Sequence, residues 1–225
     1  MIDRNVKEEE LEAVIRTVLE QILREPDRGS REGNMVPVGI SMRHVHLNRA
    51  DLNHLFGPTY MLTPMKKLSQ PGQYAAQECV DVIGPKGVLK RVRVLGPLRR
   101  ETQVELAQTD CRTIGVKAPV RASGHLEGTP GVKLRGPYGE IEIPRGVIVA
   151  DRHIHLSPAQ AKAYGLQDGD TVSVEIEGTK AGVLDGILIR SNPGCEMDFH
   201  IDTDDGNAFQ LQQGQLVKIL KKEDR

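Results

Sequence analysis

Residues 38–47, VGISMRHVHL, and residues 147–156, VIVADRHIHL, are two copies of one pattern. At an offset of 109, His153 lies under His44, His155 under His46, Arg152 under Arg43 and Leu156 under Leu47. Each copy continues into a short polar start, Asn48-Arg49-Ala50-Asp51 in one and Ser157-Pro158-Ala159-Gln160 in the other. A brief helical stretch then stops at Gly57 or Gly165. Ser157 followed by Pro158 reads as a helix N-cap with proline in the first turn. A chain that repeats itself at this spacing is expected to fold as two similar units.

A looser echo follows each copy. VLKRVRVLGPLRRETQVELAQTD, residues 88–110, aligns with VLDGILIRSNPGCEMDFHIDTDD, residues 183–205, at an offset near 95. Glu101 then meets Glu196, and Glu105 falls on His200. Alternation in VLKRVRVLG and TVSVEIEG is the period of half-buried strands. Twenty-three glycines and thirteen prolines spread along the chain predict short strands joined by tight turns. The expected fold is mainly β: two similar small β-barrels, each capped by short helices, the first over residues 43–150 and the second over 151–220.

An H-x-H pair on a strand puts both imidazoles on one face, because side chains alternate. One such pair is weak support for a ligand set. Two pairs in matching frames, each followed by an aligned third donor, point to two metal sites. His44, His46 and Glu105 offer two imidazoles and a carboxylate, and His153, His155 and His200 offer three imidazoles. Three protein ligands with an open position are the pattern of catalytic zinc, although Fe, Co and Mn also accept imidazole and carboxylate. His54 and His125 fall outside both sets and read as ordinary surface residues. Basic residues Arg91, Arg93, Arg99, Arg100, Lys66 and Lys67 either bind an anion such as phosphate or flank strands in solvent. DTDDGN, residues 202–207, fails as a calcium loop, since its twelfth position is Gln213 rather than Glu.

Composition narrows the classes of partner. A formal net charge of −1 argues against phosphate-driven nucleic-acid binding, and an aromatic content of 3% without tryptophan argues against base stacking. No apolar run is long enough to span a membrane, and no secretory signal is visible. Cys79, Cys111 and Cys195 show no CxxC spacing and read as reduced thiols. None has a histidine beside it in sequence, so a thiol nucleophile has no support at this level. Residues 1–25 precede the repeats and carry an apolar stripe at Leu11, Val14, Ile15, Val18, Leu19, Ile22 and Leu23. This amphipathic helix either docks on the chain's own body or serves as a docking peptide, with residues 26–35 as a flexible linker.

ISMRHVHL, GPLRRETQVEL, ADRHIHLSP and MDFHIDTDDGNAF together resemble the PduL-type phosphotransacylases, the phosphate propanoyltransferases of bacterial microcompartments. The resemblance covers about residues 36 to 220. It implies two divalent metal ions, usually zinc, on the two ligand sets above, and exchange between acyl-CoA and inorganic phosphate. By that resemblance Arg99 binds phosphate, and Ser41, Lys66, Arg93, Leu95, His200 and Asn207 line the coenzyme A site. The strand at 36–42 would cross to complete the second barrel. The N-terminal helix resembles an encapsulation peptide, implying shell or core protein partners and a place in the microcompartment lumen within the cytoplasm. A homodimer is also implied. The expected chemistry is direct transfer, with a di-metal thioester hydrolase or a non-catalytic scaffold as alternatives.

Overall fold

The computed structural model describes residues 34–220. The predicted helix at 1–25 and nearly all of the linker lie outside the described residues. From the amino end the elements are β1 (Met35–Ser41), β2 (His44–His46), α1 (Arg49–Phe56), β3 (Pro64–Lys67), β4 (Tyr74–Ile83), β5 (Val88–Gly96) and β6 (Gln103–Glu105). There follow α2 (Gln108–Ile114), β7 (Val120–Arg121), β8 (Val132–Arg135), β9 (Glu140–Ile143), β10 (Val147–Ala150) and β11 (His153–Leu156). The last are α3 (Pro158–Ala163), β12 (Thr171–Ile176), β13 (Gly182–Ser191), β14 (Asp198–Asp202), α4 (Thr203–Phe209) and β15 (Leu216–Leu220). The molecule is mainly β, as the alternation predicts.

Six strands close a barrel in the order β1-β14-β11-β13-β12-β15. The other strands form a nine-stranded sheet, β7-β10-β6-β2-β5-β4-β8-β9 with β3 paired to β4, which curls into a half-barrel rather than a closed ring. Helix α1 lies against its β9 side: Tyr138 N donates to Leu55 O at 2.9 Å. Leu52 and Leu55 are fully buried in that unit's core. A helix laid along a sheet edge covers what closure would otherwise remove.

The helices obey their sequence signals. Ser157 caps α3 through Gln160 N, and the Gln160 side chain accepts in return from Ser157 N, a reciprocal capping box. Asn48 caps α1 through Asp51 N, and Asp202 caps α4 through Asp205 N. Helix α2 ends on Gly115, whose φ of 77° is the left-handed conformation that only glycine adopts cheaply.

The internal repeat survives in the register. β2 runs parallel to β5 with His44 opposite Arg93, and β11 runs parallel to β13 with His153 opposite Leu188. β2 runs antiparallel to β6 with His44 opposite Glu105, while β11 runs antiparallel to β14 with His153 opposite His200. These pairs around the H-x-H strands map from one half onto the other by the two sequence offsets.

The strand that opens each sequence repeat, before its H-x-H pair, joins the sheet of the other repeat. β1 pairs with β14, Gly39 opposite His200, and β10 pairs with β6, Ile148 opposite Glu105. Val36 and Val38 of β1 therefore belong to the second half's core, and Val147 and Val149 of β10 to the first half's. Burying a valine contributes roughly 1.5–3 kcal/mol, so each exchanged strand ties the halves together by several kcal/mol. Each crossing is latched by an ion pair onto the helix after the third-donor strand: Arg43 to Asp110 at 2.7 Å and Arg152 to Asp205 at 3.6 Å.

Candidate metal centres

In both H-x-H strands the middle residue, Val45 or Ile154, points into the core with no exposure. That choice turns His44 with His46, and His153 with His155, onto the opposite face. Directly opposed residues of an antiparallel pair hold their Cβ atoms about 4.5–5.5 Å apart, which brings Glu105 over His44 and His200 over His153. Donor atoms of His44, His46 and Glu105 all lie within 4.8 Å of one another, as do those of His153, His155 and His200.

Hydrogen bonds prepare these rings to receive a cation. His44 Nδ1 lies 2.8 Å from Met42 O, and His153 Nδ1 lies 2.8 Å from Asp151 O. A carbonyl only accepts, so each Nδ1 carries the proton and each Nε2 presents a lone pair toward its cluster. His153 Nε2 in turn faces His155 Nε2 at 3.2 Å. Burial first, then neighbouring positive charge, pushes His153 down to about 3, His155 to about 4 and His46 to about 3. These three rings are neutral at neutral pH, the form a metal takes.

The first cluster is charged differently. Burial opposes ionisation of Glu105, yet His44, His46 and Arg99 outweigh it and hold the carboxyl below the usual carboxylate range. Burial likewise opposes the His44 cation, but Glu105, 3.4 Å away, and the Met42 carbonyl raise it above an ordinary histidine. A divalent cation between His44 Nε2 and Glu105 would take the place of a proton on that nitrogen. Two imidazoles and a carboxylate converging in a buried site, with the tautomer set by the backbone, fit a divalent cation. The three imidazoles of the second cluster fit one equally.

Arg99 sits beside the first cluster, its Nη1 donating to Ser123 Oγ at 2.8 Å and lying 3.9 Å from Glu105. Ser123 also donates to Glu105 at 2.9 Å, and the Gln103 amide binds both Ser123 and Glu105. Arg190, which the sequence reading passed over, extends from β13 opposite His155. Its guanidinium hydrogen-bonds to none of the described residues. Its charge is felt by Arg99, by His153 and His155, and by Glu105, so it stands near both clusters. Burial lowers both guanidinium pKa values, but arginine stays a cation at neutral pH. Each feels the Glu105 carboxylate, and Asp151 and Asp168 also offset the Arg190 charge. In the repeat alignment Arg190 falls on Leu95, and that change of type hid it.

Cys195 was also hidden. The turn before β14 brings its Sγ to 3.7 Å from His155 Nδ1, although no histidine is near it in sequence. Cys111 is fully buried in the first core, and burial, with nearby aspartates adding, pushes its thiol up to about 11.

One cavity of about 40 Å³ touches both clusters and is lined by matched pairs: Ser41 with Ala150, His44 with His153, and Glu105 with His200. It has room for a few water-sized groups beside the clusters. The remaining candidate residues lie across the sheet. Lys66 pairs with Ala75, Ala75 with Leu95, and Leu95 with His46, one register line running from an exposed lysine to the first cluster. Three strand spacings make that line about 14 Å. Arg93, two pairs along, anchors its guanidinium on Ala76 O and Gln77 O at 3.0 and 2.7 Å. Asn207 lies apart from this line, exposed on α4.

Known proteins place the whole assembly. The phosphate propanoyltransferase family profile matches residues 37–212. A curated phosphate propanoyltransferase of Thermotoga maritima is 52% identical over 82% of this chain and 88% of its own. That of Salmonella typhimurium is 47% identical over 88% and 90%, and that of Rhodopseudomonas palustris 44% identical over 97% and 100%. Matched over most of its length by profile and relatives alike, the chain belongs to the phosphate propanoyltransferase family of transferases.

Proposed function

We propose that this chain is a phosphate acyltransferase that exchanges propanoyl-CoA and inorganic phosphate with propanoyl phosphate and CoA. The observation that carries the reading is the pairing of two three-donor clusters with Arg99 and Arg190, the guanidiniums that stand beside them. His44, His46 and Glu105 would hold one divalent ion, and His153, His155 and His200 the other. Once bound, such ions, zinc by default, supply Lewis acidity that draws charge from the oxygens of both substrates.

The chain's own residues do the rest. Arg99, fixed by Ser123, and Arg190 grip phosphate oxygens by charge-assisted hydrogen bonds. Ser41, Lys66, Arg93, Leu95, His200 and Asn207 are the proposed coenzyme A contacts. The Lys66-to-His46 line suits an extended substrate whose charged end lies at the lysine and whose thioester reaches the clusters. A phosphate oxygen then forms its bond to the thioester carbonyl carbon, the C–S bond breaks, and CoA leaves as a thiolate that takes a proton from solvent. Holding both reactants in line is worth on the order of 7–11 kcal/mol at best.

Purified protein of known metal content tests the reading directly. CoA release from propanoyl-CoA depends on phosphate, yields acyl phosphate and falls at least 100-fold in His44→Ala and Arg99→Ala. Equal release without phosphate would mean a hydrolase, and none at all from metal-loaded protein would favour a scaffold role. The contact between Cys195 and His155 raises a second route, through an acyl-cysteine. Cys195→Ser retaining turnover, with no acyl group on the protein by mass spectrometry, excludes it.

The same proposal extends to place. Residues 1–25 act as an encapsulation peptide for shell or core proteins of a microcompartment, and the body works in its lumen as a homodimer. The apolar stripe at helical spacing supports this. A fluorescent protein carrying residues 1–25 should gather with shell proteins in cells that build microcompartments; diffuse signal would overturn it.

A further inference from the structure

The two clusters differ at their third donor, and the difference extends one residue deeper. Glu105 and His200 occupy equivalent positions, opposite His44 and His153. Each is gripped by the side chain two residues earlier on the same strand face: Gln103 on Glu105, and Asp198 on His200 at 2.9 Å from its Nε2. Both supporting residues are buried, Gln103 at 1% exposure and Asp198 at 5%. A carboxylate ligand held by an amide in one half is thus replaced by an imidazole held by a carboxylate in the other.

Asp198 has a seat made for it. Gly39 of β1 pairs with His200, and a Cβ at Gly39 would stand 2.5 and 2.7 Å from the two Asp198 carboxylate oxygens. Gly39 does not need a glycine for its backbone, because its φ is not positive. What it needs is the empty space. Its counterpart in the other half is Ile148, opposite Glu105. Ser69 Oγ, 3.5 Å from His200 Nε2, completes the polar surroundings of that nitrogen.

We propose that Asp198 is a positioning residue of the second metal centre, seated by Gly39. It accepts the proton of His200 Nε2 and so turns Nδ1 of that ring to the cation. His153 presents the opposite nitrogen, because Asp151 O holds its Nδ1. The carboxylate also holds the ring in one orientation and one tautomer for the metal. Each centre then carries one negative charge: within the ligand set as Glu105, and behind it as Asp198. This inference rests on the two-metal reading above.

The test uses full-length protein loaded with zinc, equilibrated against a graded series of chelator concentrations, with bound metal counted per chain. Wild type holds two ions. Asp198→Ala should lose one of them at 10- to 100-fold lower chelator concentration and keep the other. Asp198→Asn, which retains an acceptor, should fall between. Gly39→Ala, which leaves Asp198 in place but crowds its carboxylate, should shift the same ion in the same direction. Histidine 15N spectra of the zinc-loaded wild type, with His200 assigned by its loss in His200→Gln, should show that ring protonated on Nε2. A ring protonated on Nδ1, or two ions held as tightly in all three variants as in wild type, would overturn the proposal alone. A wild type that binds no metal would overturn the two-metal reading and this inference with it.

Discussion

At the scale of single residues, the site depends on hydrogen bonds that decide which atom faces inward. Met42 O and Asp151 O do this for His44 and His153, and Ser123 does it for Arg99. Among the described residues no side chain or carbonyl hydrogen-bonds to the Arg190 guanidinium, which leaves its fork to meet a phosphate under the proposed function. Losing one charge-assisted contact costs about 1.5–3 kcal/mol. Arg190→Ala should therefore raise the KM for phosphate by roughly 10- to 150-fold while the KM for the acyl donor stays near that of the parent, which initial-rate kinetics will resolve. An unchanged phosphate KM would remove Arg190 from the site. Arg190→Lys should recover only part of the loss, since an ammonium cannot bind two phosphate oxygens as a planar fork does.

At the scale of elements, the sequence is legible where two copies keep the same residue type at the same offset. His44, His46, His153 and His155 are readable at once, and the strand alternation around them gives the mainly β architecture. Pairing Glu105 with His200 works because both are metal-binding types, and the register places each opposite the first histidine of its pair. Legibility ends where the copies exchange chemistry. Gln103 aligns with Asp198 and Leu95 with Arg190, so neither pair looks like a repeat. The Cys195–His155 contact is invisible for another reason: a turn and a strand pairing make it, and no local pattern encodes either. Closure is also out of reach. Nothing in the alternation distinguishes the ring of six strands from the half-barrel edged by α1.

At the scale of the whole molecule, the reciprocal exchange of β1 and β10 means that neither sequence repeat owns its core. The described residues form a single compact unit. Denaturant unfolding should be one cooperative transition, with probes in the first and second halves giving coincident midpoints and an m-value scaled to the full exposed surface. Two separated transitions would show that the exchanged strands couple the halves only weakly. Residues 151–225 produced alone should fail to fold for want of β1, whereas residues 34–150 keep β10 and the whole first core and leave only β1 unpaired. Mixing the two should restore the native spectrum and the metal-binding capacity together.

The crossing of β1 sets a schedule for the chain as it is made. β10 meets β6 as soon as it emerges, but β1 precedes its partners β14 and β15 by about 160 residues or more. At roughly 5–20 residues per second, the ribosome leaves that strand without a neighbour for on the order of ten seconds or longer. During that interval MVPVGIS is an apolar segment with a bare edge, the kind that sticks to other nascent chains. Pro37 stands in its middle, with no N–H to offer a stray strand, and in the finished barrel it pairs opposite Leu216. One proline thus guards the strand while it waits for β14 and β15.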